Sequence, residues 1–165
     1  MEATVYTTSY HSPLGWIRIT GTSQGIISVL FTEAEAPGTT ELPACMQGCV
    51  NQLVQYFNGE RQQFDLPLAP AGTAFQQQVW QHLQTIPYGK TASYLQVARA
   101  TSGEKAIRAV GAANGKNPLC IVVPCHRVIG SDGSLTGYAG GLWRKEWLLR
   151  HEGVLKPEQQ LALFG

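Results

Sequence analysis

The sequence predicts an α+β protein built from two small domains, and three observations carry that reading. The first thirty residues are rich in β-branched and aromatic side chains interrupted by turn signals, as expected of consecutive strands. Beyond residue 73, apolar residues recur at helical spacing behind two capping-box signatures. Between the two regions, residues 65–72 hold two prolines and three small residues. Strands first and helices afterwards indicate α+β or separate domains rather than a wound parallel sheet. The domains are therefore set at 1–72, with a linker at the end, and 73–165.

The elements follow in order. Strands are expected over 5–10, 16–20 and 26–31, with Ser12-Pro13-Leu14-Gly15 and Ser23-Gln24-Gly25 as turns. Residues 33–43 carry acids, Pro37, Gly38 and Pro43, and read as a loop. Met46, Cys49, Val50, Leu53 and Phe57 then mark one face of a helix over 44–58, with Gly59 placed to end it. Thr73 with Gln76 opens a helix bearing Phe75, Val79 and Leu83, stopped before Pro87. Ser93 with Gln96 opens a shorter one to about Ala100. After the turn Thr101-Ser102-Gly103, residues 104–115 read as a third helix, giving a helix-turn-helix pattern. The apolar run 119–123 reads as a buried strand stopped by Pro124, followed by a glycine-rich loop and a last helix over 142–151.

Composition narrows the class. The 165 residues are 44% hydrophobic and 14% charged, which suits a globular chain with a real core. No membrane span or secretory signal is visible, so a cytoplasmic or nuclear location is expected, with the four cysteines as thiols. Residues 1–73 hold two basic and six acidic side chains, whereas 74–165 hold ten basic and five acidic. The basic second half suits a polyanionic partner.

Cys125 and His126 stand side by side where the chain leaves the apolar run. A thiolate is the strongest neutral-pH nucleophile among side chains, so the pair is a candidate reactive centre. A buried structural cysteine with a histidine beside it is the competing account. Zinc is disfavoured: Cys49 and Cys120 read as core residues, and the cysteine spacings fit common zinc patterns poorly. Glu152 sits at a helix C-terminus, against the macrodipole, so it is either solvated or held by a positive partner. The second case would complete a Cys–His–Glu relay.

The stretch Pro124-Cys125-His126-Arg127-Val128-Ile129-Gly130 resembles the active-site motif of the O6-alkylguanine-DNA alkyltransferases, which repair DNA by direct reversal. In order along 73–153, several further stretches match as well. They are Phe75-Gln76-Gln77-Gln78-Val79-Trp80, Ile86-Pro87-Tyr88-Gly89, Ala109-Val110-Gly111-Ala112-Ala113-Asn114, Asn117-Pro118, residues 135–141 and His151-Glu152-Gly153.

The resemblance implies a ribonuclease-H-like first domain and a winged helix-turn-helix second domain carrying the active site. It implies that Cys125 accepts the alkyl group once and irreversibly. His126 would take the thiol proton through a water, Glu152 would orient His126, and Tyr94 would donate toward guanine N3. Asn117 would position the site, Val128 would offer its carbonyl to the base, and the Tyr138, Ala139 and Gly140 loop would point N–H groups at O6. Arg108 would be the finger that replaces a flipped nucleotide in the minor groove. Lys105, Ala109, Gly111, Ala112, Lys116 and Arg127 would make further DNA contacts. The implied partner is double-stranded DNA containing O6-alkylguanine, with O4-alkylthymine a further candidate. No cofactor or metal is implied. A monomer in a bacterial cytosol is expected, with cooperative binding along DNA left open. Two alternatives remain from the residues alone: a cysteine hydrolase using Cys125, His126 and Glu152, and a helix-turn-helix module without chemistry.

Overall fold

Strands β1 (Tyr6–Ser12), β2 (Gly15–Thr22) and β3 (Gly25–Thr32) form an antiparallel meander in the order β1-β2-β3. The first turn is closed by the Ser12 hydroxyl, which donates to Gly15 O at 2.7 Å and accepts from Leu14 N at 3.0 Å. Alternation places Ile17 and Ile19 on the buried face, where they meet Ile26 and Val29 of β3. Helix α1 (Ala44–Phe57) covers that face with Met46, Cys49, Leu53 and Phe57, all buried as the sequence spacing predicts; Tyr56 joins them unpredicted, and the expected Val50 is only half-buried. Gly21 is required by close approach: a Cβ there would lie 2.7 Å from Gly25 O and 2.8 Å from Met46 Sδ.

The computed structural model describes residues 4–39 and 41–155. It divides into two compact units, Met1–Ala71 with Pro118–Val122, and Gly72–Asn117 with Val123–Gly165. The first three residues of the expected first domain and residues 156–165 of the expected second lie outside the described residues. Two readings of the sequence are corrected within the first unit. The supposed linker is partly ordered on β3, with Ile26 N donating to Pro67 O and Ala69 N to Ile26 O, both at 2.8 Å. The expected strand over 119–123 is a single bridge, Leu119 to Val29, followed by a turn in which Val122 N donates to Cys120 O at 2.8 Å. Ile121 has φ 72, a left-handed conformation that costs a β-branched residue on the order of 1–3 kcal/mol. All four residues of Leu119–Val122 are buried, so the apolar run reported burial correctly and conformation wrongly.

In the second unit, α2 (Ala74–Leu83) and α3 (Tyr94–Thr101) begin with complete capping boxes. Thr73 Oγ1 accepts from Gln76 N at 3.1 Å, and Ser93 Oγ accepts from Gln96 N at 3.0 Å. Gly103, at φ 93, turns the chain into a 3₁₀ segment (Glu104–Ala106) and then α4 (Ile107–Gly115), so the expected third helix is split. Trp80 Nε1 ties α2 to α4 by donating to Ala113 O at 2.8 Å. A two-residue parallel pair, β4 (Ala92–Ser93) with β5 (Val128–Ile129), was not foreseen. It fixes the start of α3 beside the segment that follows Cys125. Helix α5 (Leu142–His151) completes the unit. No helix among the described residues is long and apolar enough to cross a membrane.

Candidate active site

Pro124, at φ −82 and ψ 63, breaks the chain direction, and Cys125–Arg127 form a 3₁₀ turn. Cys125 is buried, and burial pushes its thiol above the ordinary value. Three groups work in the opposite direction: the Asn117 amide, hydrogen-bonded to the thiol, the Lys145 ammonium, and the backbone of Cys125 itself. Asn117 Nδ2 also donates to Val123 O at 2.8 Å, so one side chain fixes both the thiol and the backbone leading to it.

His126 is fully buried with Nε2 2.7 Å from Glu152 Oε2. Arg127 holds the same carboxylate, Nε donating to Oε1 at 2.7 Å and Nη2 to Oε2 at 3.1 Å. Burial alone would raise the Glu152 carboxyl. His126 and Arg127 overcome it and bring the value down to about 2. A carboxylate ionised at neutral pH only accepts, so His126 Nε2 carries the proton in this pair. Burial lowers the His126 pKa, with Glu152 partly opposing it. Burial thus favours the neutral imidazole, in which Nδ1 holds a lone pair. Nδ1 is buried and has no hydrogen-bond partner among the described residues. Thiol and imidazole are therefore not joined directly, which suits proton transfer through a water.

Tyr94, first residue of α3, donates its hydroxyl to Thr136 O at 2.8 Å, and burial raises its pKa. Lys145 Nζ reaches the same carbonyl at 3.0 Å and Gly137 O at 3.2 Å, and lies 5.8 Å from the Tyr94 ring centroid. Burial lowers the Lys145 ammonium to about 8, against the restoring pull of Cys125. Val128 is buried in β5, while Tyr138, Ala139 and Gly140 form the loop leading to α5. Lys105, Arg108, Ala109, Ala112 and Lys116 are all exposed, and their spacing puts them on one side of α4 and its 3₁₀ lead-in. Gly111 is half-buried against the Tyr94 ring. Tyr94, Ile107, Arg108 and Gly111 line a pocket of about 340 Å³.

Cys125, His126, Glu152, Asn117 and Tyr94 thus share one site. Arg127 is a correction: an expected DNA contact is instead buried, paired with Glu152 and donating to Ile86 O at 2.7 Å. Two residues were missed. Asn114 is buried, its amide 3.4 Å from Cys125 O and hydrogen-bonded to the Tyr94 hydroxyl. Lys145 is fully buried, and a lysine on a charged helix carries no local sign of burial. Of the other cysteines, Cys45 donates its thiol to Thr22 O at 3.1 Å, Cys49 is buried with its thiol pushed up to about 12, and Cys120 is buried in the first unit.

Comparison with known proteins places the chain in a family. Residues 74–154 match the family model described as the 6-O-methylguanine DNA methyltransferase DNA binding domain, and residues 5–70 match its ribonuclease-like domain. A methylated-DNA–protein-cysteine methyltransferase of Mycolicibacterium paratuberculosis is 48% identical, over 93% of this chain and 94% of its own. One from Methanosarcina acetivorans is 46% identical, over 90% and 99%. The crystal structure of the Mycobacterium tuberculosis O6-methylguanine methyltransferase superposes with TM-score 0.82 at 42% identity, covering 98% of this chain and all of that one. The structure of the M. tuberculosis protein in complex with DNA gives 0.80 at 44%, covering 96% and 99%. On both domains and nearly its whole length, the chain belongs to the 6-O-methylguanine DNA methyltransferase family.

Proposed function

We propose that the chain repairs DNA by direct reversal, moving the alkyl group of O6-alkylguanine onto Cys125. The observation that carries this is the buried thiol joined to Asn117, next in sequence to a buried His126 whose Nε2 is locked on Glu152. His126 Nδ1 takes the thiol proton through a water. The thiolate attacks the alkyl carbon, an S–C bond forms, the C–O6 bond breaks, and the electron pair leaves with guanine. Tyr94 exchanges its Thr136 acceptor for guanine N3 and donates a proton as charge develops there. The Val128 carbonyl and the 138–140 loop hold the base. The product is a thioether, so each molecule acts once.

The target lies within a duplex and is reached by flipping, at a cost of a few kcal/mol. The exposed side of α4 meets the minor groove with small residues, and Arg108 fills the gap. Lys105 and Lys116 add phosphate contacts that weaken with salt. The chain acts as a monomer, in the cytosol.

Intact mass spectrometry after incubation with O6-methylguanine DNA should show one methyl gained, located on the Cys125 peptide. Multiple turnover without a modified cysteine would favour the hydrolase reading instead. Arg108→Ala should slow repair of duplex by about tenfold, the equivalent of ~1.4 kcal/mol of the flipping cost. Its reaction with free O6-benzylguanine should stay near wild type. Equal losses on both substrates would remove the finger role.

A further inference from the structure

Resting on that reading of the site, we propose that Arg144 is a positioning residue that aims the base-reading loop. The first turn of α5 grips loop 136–141 through its carbonyls. Lys145 Nζ takes Thr136 O and Gly137 O, and Arg144 Nη1 takes Gly140 O at 2.8 Å. A trans peptide points its N–H opposite to its C=O, so whatever fixes a carbonyl also aims the next residue's N–H. Arg144 holds the Gly140 carbonyl and so turns the Gly141 N–H the other way, where it donates to Tyr138 O at 2.9 Å. That bond fixes the Tyr138 carbonyl and thereby aims the Ala139 N–H. The direction of one N–H is thus set, through two peptide planes, by a guanidinium five residues later.

Restraint from outside is needed here. Gly137 and Gly141 have φ 60 and 94, and glycine leaves the backbone free to leave those conformations. Residue 139 is alanine, so its backbone N–H is the donor it can offer to O6. Arg144 is itself held, its guanidinium 4.5 Å from the centroid of the exposed Trp143 ring. The same indole packs against Gly141, where a Cβ would lie 3.3 Å from Cδ1.

The test is single-turnover alkylation of Cys125 by free O6-benzylguanine over a concentration series, with wild type, Arg144→Ala and Arg144→Lys. A donor aimed at O6 acts where charge develops, so Arg144→Ala should lower the saturating rate constant by about tenfold. The half-saturation concentration should stay within twofold, as should affinity for undamaged duplex, and Tm should hold. Arg144→Lys, which keeps a cation for Gly140 O, should recover most of the rate. The proposal is overturned if Arg144→Ala reacts like wild type, or if its loss lies in half-saturation or duplex affinity. It is equally overturned by a loss that tracks a lowered Tm and is not recovered by lysine. A wild-type protein that gains no benzyl group would defeat the repair reading itself.

Discussion

Cys125→Ala is expected to abolish alkyl transfer while leaving affinity for duplex DNA within twofold of wild type. The exposed residues of α4 that carry the DNA contacts are not altered by loss of one sulfur. The truncation removes a buried atom and the Asn117 contact, at a stability cost of about 1 kcal/mol. Cys125→Ser separates packing from reactivity. Serine keeps an acceptor for Asn117, but a hydroxyl beside a neutral imidazole yields far less nucleophile than a thiol. Both variants should show no added mass after incubation with O6-methylguanine DNA. Transfer to another residue in either variant would remove Cys125 as the acceptor.

Glu152→Ala should be the most destabilising single change in the site. Glu152 accepts from His126 and twice from Arg127, all of it buried. Removing the carboxylate leaves the Arg127 guanidinium buried with no counter-charge, a loss of about 3–5 kcal/mol. It also frees the imidazole, and transfer should fall by 10² to 10⁴, on the order seen when a catalytic histidine loses its orienting carboxylate. Glu152→Gln distinguishes these effects because it keeps the volume. A glutamine amide can donate to His126 Nε2, which moves the proton to Nδ1 and removes the base. Transfer should then collapse with a smaller loss of Tm. The pH dependence has a definite sign. The folded carboxyl is depressed from 4.5 to about 2, so its stabilisation is complete above about pH 4.5 and disappears as pH falls to about 2. Urea titrations across that window should show wild type losing stability and Glu152→Gln showing a flatter profile. Parallel profiles would mean that the carboxylate is not held as described.

What was legible in the sequence was what short-range chemistry decides. Thr73 with Gln76, and Ser93 with Gln96, announce two helix starts because all partners lie within one turn. The β-branched and aromatic strands of the first thirty residues and the apolar stripe of α1 are read the same way. Residues 119–123 failed because an apolar run reports burial only, and nothing local signals the φ of Ile121. The site shows the same division. Cys125 and His126 are visible as neighbours, and Glu152 is conspicuous because it opposes a helix dipole and so needs a positive partner. Arg127 read as a surface cation, since its partners are 25 and 41 residues away. Lys145 was invisible for the same reason: only the arrival of two loop carbonyls makes a buried ammonium tolerable.

The short excursion of Pro118–Val122 has a consequence for how such a chain can be rearranged. Val29 N donates to Pro118 O at 2.8 Å and Cys120 N to Val29 O at 3.0 Å, so these residues complete the first unit from within the sequence of the second. Asn117, donating to Val123 O, pins the two ends of the excursion together, two residues before the reactive thiol. The segment encoding the reactive half is therefore not a cassette. A recombinant or designed chimera that exchanged residues 1–71 would also have to match five residues on the far side of the crossover. Compatibility between the two halves is thus inherited through a stitch that no single cut in the gene can respect.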